Sequence, residues 1–148
     1  MSEHTVDVTW DRGGRDFGIK SYSRNHLWRF ANGTEVSGSA APGYLGDPAC
    51  VDPEAAFCAA LSSCHMLTFL ALCAKDGLVL DRYADHAVAF LERNAERKTA
   101  ITRIELHPVT TFAPGITVPA ERLADLHAKA HEYCFIANSI KTEVRTVL

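Results

Sequence analysis

Two cysteines stand in the stretches of this chain best suited to chemistry. Cys64 lies in "VDPEAAFCAALSSCHMLTFL", an apolar run from Val51 whose packing does not need Ser-Ser-Cys-His at its middle. Cys134 belongs to a second stretch, where His127, His131, Cys134 and Asn138 are spaced i, i+4, i+7 and i+11, the spacing of one helix face. A thiolate is the nucleophile of cysteine chemistry, and it oxidises to a sulfenic acid that a second thiol condenses into a disulfide. The histidines widen the choice only slightly. His65 follows Cys64 directly, but adjacent helical residues point about 100° apart, so it is badly placed to take its neighbour's proton. His127, His131 and Cys134 make a weak metal set, being three ligands on one face without an acid. Pattern alone favours a solvent-facing polar edge there, with an incidental cysteine.

Cys50, Cys58 and Cys73 bring the cysteine count to five. The start "MSEHTVDVTW" lacks the basic and apolar regions of a signal peptide, and an odd cysteine count then points to the reducing cytoplasm. There most cysteines serve as small buried hydrophobes, the reading for Cys58 and Cys73. No Cys-x-x-Cys, glycine-rich dinucleotide loop or haem motif occurs, so no metal or cofactor is expected. With 148 residues, 47% hydrophobic and 22% charged, the chain reads as one domain over 1–148. A formal charge of -3 without a basic stripe argues against a nucleic-acid partner. No run of about 18 apolar residues is seen, so no membrane span is expected.

The elements that must position these residues follow from pattern. "TVDVTW" (5–10) alternates as a half-buried strand, and "DRGGRD" is a turn. "YSRNHLWRF" (22–30) is aromatic-rich and strand-like, and the Asn-Gly of "ANGTEV" marks a hairpin. A long glycine- and proline-rich loop leads to Asp52-Pro53-Glu54, which reads as N-cap, first helical residue and first-turn acid of a helix running to about Lys75. Two strand-like runs, "LVLDRYADHAVAFLERN" and "TAITRIELHPVTTF", are joined by the polar turn "AERK". A second helix spans "VPAERLADLHAKAHEYCFIANS" (118–139), and "IKTEVRTV" closes as a strand. The fold class is α+β.

With these elements in place, "DPEAAFCAALSSCHM" resembles the Pro-Glu and first-cysteine helix of the OsmC/Ohr family, the osmotically inducible and organic hydroperoxide resistance proteins. "HEYCFIANS" resembles that family's second-cysteine helix, and "IKTEVRTV" its closing strand. The resemblance implies an OsmC-like fold with two central helices packed on β-sheets, assembled as an intertwined homodimer. It implies a thiol peroxidase for organic hydroperoxides or peroxide, with Cys64 peroxidatic, Cys134 resolving and Glu54 the Pro-Glu acid. Tyr22-Ser23-Arg24-Asn25-His26 resembles a branch with a Tyr-Ser-Arg-x-His signature, whereas Gly13-Gly14-Arg15 resembles the hydroperoxide-resistance branch. Arg24 is preferred over Arg15 as the catalytic arginine, because a strand holds a guanidinium more firmly than a turn does. Phe135 departs from the pattern, since many relatives place proline after the second cysteine. The reductant is an external thiol, and the resemblance points to a dihydrolipoyl protein.

The chemistry is self-consistent. A guanidinium beside a sulfur favours the thiolate and holds a peroxide oxygen, and a carboxylate orients that guanidinium. Glu54 and Cys64 are ten residues apart, roughly 15 Å along one helix. Either the chain folds back near Pro53, or Glu54 and its arginine serve the cysteine of a partner subunit, which is the preferred reading. The alternative function is a non-catalytic small-molecule binding protein on the same dimeric fold. A cysteine hydrolase is disfavoured, because no acid–His–Cys arrangement stands out.

Overall fold

In the computed structural model, which describes residues 1–148, the chain falls into two units, Met1–Ala56 and Phe57–Leu148. The first is an antiparallel sheet of β1 (Val6–Thr9), β2 (His26–Phe30) and β3 (Glu35–Gly38), with β2 central. Asn32-Gly33 turns β2 into β3 as expected. Gly33 takes φ +85°, a backbone open to glycine, and the Phe30 N–H closes the turn on Thr34 O at 2.9 Å.

The strand expected over 22–30 is shorter than its pattern, because Tyr22–Asn25 is loop and β2 begins at His26. Arg24 is therefore not on a strand, which removes the reason first given for preferring it. Side chains hold this segment instead. The buried Ser39 hydroxyl donates to Asn25 Oδ1 (2.9 Å) and accepts the Asp47 N–H (3.0 Å), while Asn25 Nδ2 donates to Asp47 Oδ2 (3.0 Å). These bonds pin the 22–26 loop to the glycine-rich loop after β3. That second loop is tightly folded, since a Cβ on Gly46 would land on the Ala40 carbonyl.

Helix α1 (Pro53–Lys75) starts as its sequence dictates: the Ala55 N–H donates to Asp52 Oδ1 at 2.8 Å, and Glu54 sits in the first turn. It stops at Gly77, φ +68°, with the Leu78 N–H returning to Cys73 O at 2.9 Å. Cys58, Leu61, His65, Phe69 and Cys73 form its buried stripe. By length and composition alone α1 passes as long and apolar enough to cross a membrane, with a mean hydropathy of 1.8 over 18 residues, although it holds no unbroken run of 18 apolar residues. Serine, threonine and histidine dilute the run without charging it, which hid it from a count of apolar residues.

The two strand-like runs after α1 are four strands: β4 (Leu80–Asp85), β5 (Val88–Arg93), β6 (Thr99–Leu106) and β7 (Pro108–Phe112). They form one long hairpin bent at mid-length. Near its turn β5 pairs with β6, and beyond the bend β4 pairs with β7 in a separate sheet. Pro108 has no N–H for the ladder, and the N–H of His107 goes to Asp85 Oδ1 at 2.7 Å. The other Asp85 oxygen accepts the Ser62 hydroxyl of α1, so one carboxylate joins the bend to the helix.

Helix α2 (Ala120–Tyr133) ends six residues before the expected boundary at residue 139, and β8 (Glu143–Thr146) then pairs in parallel with β6. The helix stops because side chains take its terminal groups. Asn138 Nδ2 donates to Glu132 O (2.9 Å), and Cys134 turns to an extended backbone with ψ 115°. Cys134 and Asn138 thus lie outside the helix, and the one-face stripe from His127 to Asn138 does not exist. Nor is His127 on a solvent-facing edge: it is 2% exposed, and His65 only 1%.

These two histidines form a buried polar contact between α1 and α2. His65 Nε2 and His127 Nδ1 share a hydrogen bond of 3.0 Å, with ring planes 4° apart and centroids at 5.3 Å, an edge-to-edge geometry. Phe69 stacks on His127 at 4.2 Å. Burial lowers both imidazoles from the usual 6.5 to about 4; His131 opposes charge on His65, His65 opposes charge on His127, and Asp85 favours charge on both. The folded chain keeps both rings neutral where the unfolded chain protonates them. Their stabilising contribution is therefore complete above pH 6.5 and is lost as pH falls toward 4. The loss is bounded at about 3 kcal/mol per histidine, at about 1.4 kcal/mol for each pH unit. Urea unfolding at pH 7.0, 5.5 and 4.5 should show this decline in wild type and a flatter profile in the double variant His65→Phe/His127→Phe.

Candidate redox site

Cys64 and Cys134, seventy positions apart, come together in the second unit. Cys64, half-buried on α1, packs against the core cluster of Cys58, Leu61, Ile104, Leu106 and Cys134. Its thiol is thereby a neighbour of the Cys134 thiol. All five cysteines are free thiols.

Cys134 is fully buried at the end of α2, where the Ala137 N–H points at its sulfur from 3.5 Å. Burial pushes this thiol up, opposed by the Ala137 N–H and reinforced by the neighbouring Cys64 thiol. It is a neutral thiol at ordinary pH, suited to meeting an oxidised sulfur rather than attacking first. Cys58 and Cys73 are core residues as expected, each pushed up chiefly by burial. Position 58 lies about 240° around α1 from position 64, which predicts that Cys58 points away from Cys64 and Cys134. It instead shares the core cluster of Cys134, which reaches that cluster from beyond the end of α2.

Arg24 and Glu54 belong to the first unit. Arg24 donates through Nη1 to Tyr22 O (2.7 Å) and through Nη2 to Ile19 O (2.8 Å), and its guanidinium lies 4.1 Å over the Tyr22 ring. His26 Nδ1 donates back to Arg24 O at 2.8 Å. Two carbonyls, one ring and the Asn25–Ser39–Asp47 network thus hold this arginine on a loop. Arg24 also lines a cavity of 580 Å³ walled by Trp10, Phe17, Tyr22, His26 and Pro53. Arg15 instead bonds inside its own turn, to Arg12 O (2.9 Å) and Asp11 O (2.7 Å). Glu54 has a buried Oε2 without a hydrogen-bond partner in the chain.

Sequence reasoning missed the His65–His127 pair and the roles of Ser62, Tyr83 and Asp85. A signal for His127 was present: Leu123, Leu126, His127 and Ala130 share an apolar helical period that places the histidine on the inner face. The Tyr83 hydroxyl is buried without a partner, and its ring lies against Phe69 and His127.

A family model described as OsmC-like protein matches residues 46–148. Among solved structures, an OsmC-like protein of unknown function from Vibrio cholerae has a TM-score of 0.96 and 44% identity, with 99% of each chain covered. An organic hydroperoxide resistance protein from Legionella pneumophila has a TM-score of 0.75 and 18% identity, covering 99% of this chain and 96% of its own. The organic hydroperoxide resistance protein OhrB of Bacillus subtilis has a TM-score of 0.70 and 14% identity, covering 98% and 96%. Comparison with functionally curated proteins gives no match. The two resistance proteins share the fold, and the Vibrio protein shares both fold and sequence. On the family match and the 44% identity, this chain belongs to the OsmC-like protein family.

Proposed function

We propose that the chain is a thiol-dependent peroxidase that reduces organic hydroperoxides, with Cys64 as the attacking thiol and Cys134 as the resolving one. The observation that carries this reading is that Cys64 of α1 packs against the core cluster that holds Cys134, the residue just after α2. The fold it shares with organic hydroperoxide resistance proteins supports it. The Cys64 thiolate attacks the distal peroxide oxygen, the O–O bond breaks, and the alkoxide leaves as an alcohol after taking a proton. The Cys64 sulfenic acid then condenses with the Cys134 thiol, releasing water. An external dithiol, a dihydrolipoyl protein in this reading, reduces the disulfide and is itself oxidised to a disulfide. The free cysteines suit a reducing cytoplasm.

In this reading Arg24 orients the peroxide and Glu54 orients Arg24. The support for Arg24 over Arg15 is no longer a strand but the cavity, which Arg24 lines and whose Pro53 wall adjoins Glu54. Helix α1 is unbroken from Pro53 to Lys75, which favours service to a partner subunit over a fold-back at Pro53. A homodimer also accounts for α1 itself, since only 28% of its most apolar 18 residues are buried inside the chain. Ala55, Ala59, Ser63, Leu67 and Ala71 line its exposed side.

Wild type should consume cumene hydroperoxide with a dithiol reductant, and Cys64→Ser should not. Cys134→Ser should complete the first turnover and then accumulate sulfinic acid at Cys64, as read by peptide mass mapping. Absence of any Cys64-dependent consumption would favour the non-catalytic binding protein.

Arg24→Met should lower the first-turnover rate about 100-fold or more, the scale of losing one electrostatic donor, while Arg15→Met leaves it near wild type. The reverse order would assign the role to the glycine-turn arginine.

Glu54→Ala and Cys64→Ser subunits refolded together should recover part of the activity that each lacks alone. No recovery would mean that the acid and the thiol serve the same chain.

A further inference from the structure

We propose that His65 and His127 are positioning residues for the redox pair: their buried hydrogen bond fixes the rotation and register of α1 against α2, and so sets the Cys134 sulfur within reach of Cys64. The inference rests on the peroxidase reading for its purpose, but its geometry is independent of that reading.

Each histidine is rigidly linked to one of the thiols. His65 is the next residue after Cys64, so a fixed His65 ring fixes the azimuth at which Cys64 leaves α1, about 100° away. This azimuth leaves His65 buried and Cys64 only half-buried. His127 lies seven residues before Cys134, roughly 10 Å of helix, and α2 continues unbroken to Tyr133. Cys134 is then held by its own capping bonds, with its N–H on His131 O at 3.3 Å and its carbonyl accepting the Asn138 N–H at 3.0 Å. A shift of α2 along α1 moves His127 and Cys134 together.

Packing alone does not explain a histidine pair here. The surrounding cluster is Phe69, Cys73, Leu126 and Ala130, with Tyr83 and Leu123 at its edge. An apolar pair would fill the same volume without leaving His65 Nδ1 and His127 Nε2 buried and unpartnered, as both are. The hydrogen bond adds direction. Apolar surfaces tolerate sliding, whereas a 3.0 Å N–H···N contact between buried rings does not, which is how a buried polar residue sets register between helices.

The test separates positioning from stability and from peroxidase chemistry. In buffers of reduced and oxidised glutathione, the protein dithiol plus one oxidised glutathione gives the Cys64–Cys134 disulfide and two reduced glutathiones, so the equilibrium reads the effective concentration of one thiol at the other. His65→Phe/His127→Phe should keep or raise stability in neutral buffer yet lower this effective concentration about tenfold, as expected when a linked pair is held less tightly. The same variant should react with the first equivalent of hydroperoxide at the wild-type rate but form more sulfinic acid and less disulfide. His65→Gln/His127→Asn places an amide nitrogen where His65 Nε2 sits and an acceptor where His127 Nδ1 sits, and should restore the wild-type equilibrium. Leu126→Ala, which loosens the same packing but leaves the pair intact, should lose stability without this shift.

An unchanged equilibrium in a folded His65→Phe/His127→Phe variant would overturn the proposal. If that variant does not fold, the amide pair and Leu126→Ala decide: a shifted amide pair or an equal shift in Leu126→Ala would overturn it. A wild-type disulfide that forms with glutathione but not with hydroperoxide would sink the peroxidase reading and leave the positioning intact. No wild-type disulfide under either oxidant would sink both.

Discussion

One carboxylate organises the second unit. Asp85 sits where the long β-hairpin bends, taking the His107 N–H with one oxygen and the Ser62 hydroxyl with the other. Without it the ladder has no substitute at the bend, because Pro108 brings no N–H and β7 must start afresh there. Bending divides the hairpin between two sheets, and the core divides with it. Ile104 and Leu106 of β6 face the cluster that holds Cys134, while Leu80 and Tyr83 of β4 and Phe112 of β7 border the cluster around Phe69. Because Asp85 also bonds to α1, the helix that carries Cys64 is tied to the same point.

That carboxylate stands in an environment otherwise hostile to charge. It favours a positive charge on His65 and His127, but their burial dominates and both rings stay neutral. It also disfavours ionisation of Cys58 and Tyr83, as burial already does. The region therefore separates neutral, buried groups from Cys64, which alone of the thiols on α1 reaches partial exposure. Exposure of a thiol on α1 is a matter of which side of the helix faces inward.

Local chemistry was legible in the sequence where the interaction is itself local. Asp52, Pro53 and Glu54 marked the start of α1 because capping acts within one turn, and Asn32-Gly33 marked its hairpin for the same reason. The 22–25 segment misled because its aromatic content suits a strand, while the bonds that override it come from Ser39 and Asp47, well beyond any local window. Pro108 was a visible warning within a strand-like run, but its partner Asp85 lies 23 positions earlier. The end of α2 was misplaced because Asn138 reaches back to cap it, against a helical pattern that continues past Tyr133. Of the candidate site, the pairing of Cys64 with Cys134 came from resemblance rather than spacing. His127 looked like a surface residue because its polar spacing with His131 and Cys134 masked the apolar period it shares with Leu123, Leu126 and Ala130, and its hydrogen-bond partner His65 lies 62 positions away.

The thinly covered face of α1 has a thermodynamic consequence. A helix of this hydropathy with most of its apolar window outside the chain's own core would draw part of its free energy from any surface that covered it. If a second copy supplies that cover, folding and association become one equilibrium and chain concentration enters as a variable. Melting temperature would then rise with concentration, and dilution would weaken a protein whose internal contacts are unchanged. Small residues on that face permit close helix approach, so a single enlarged side chain there would act on assembly before it acted on any bond within the chain.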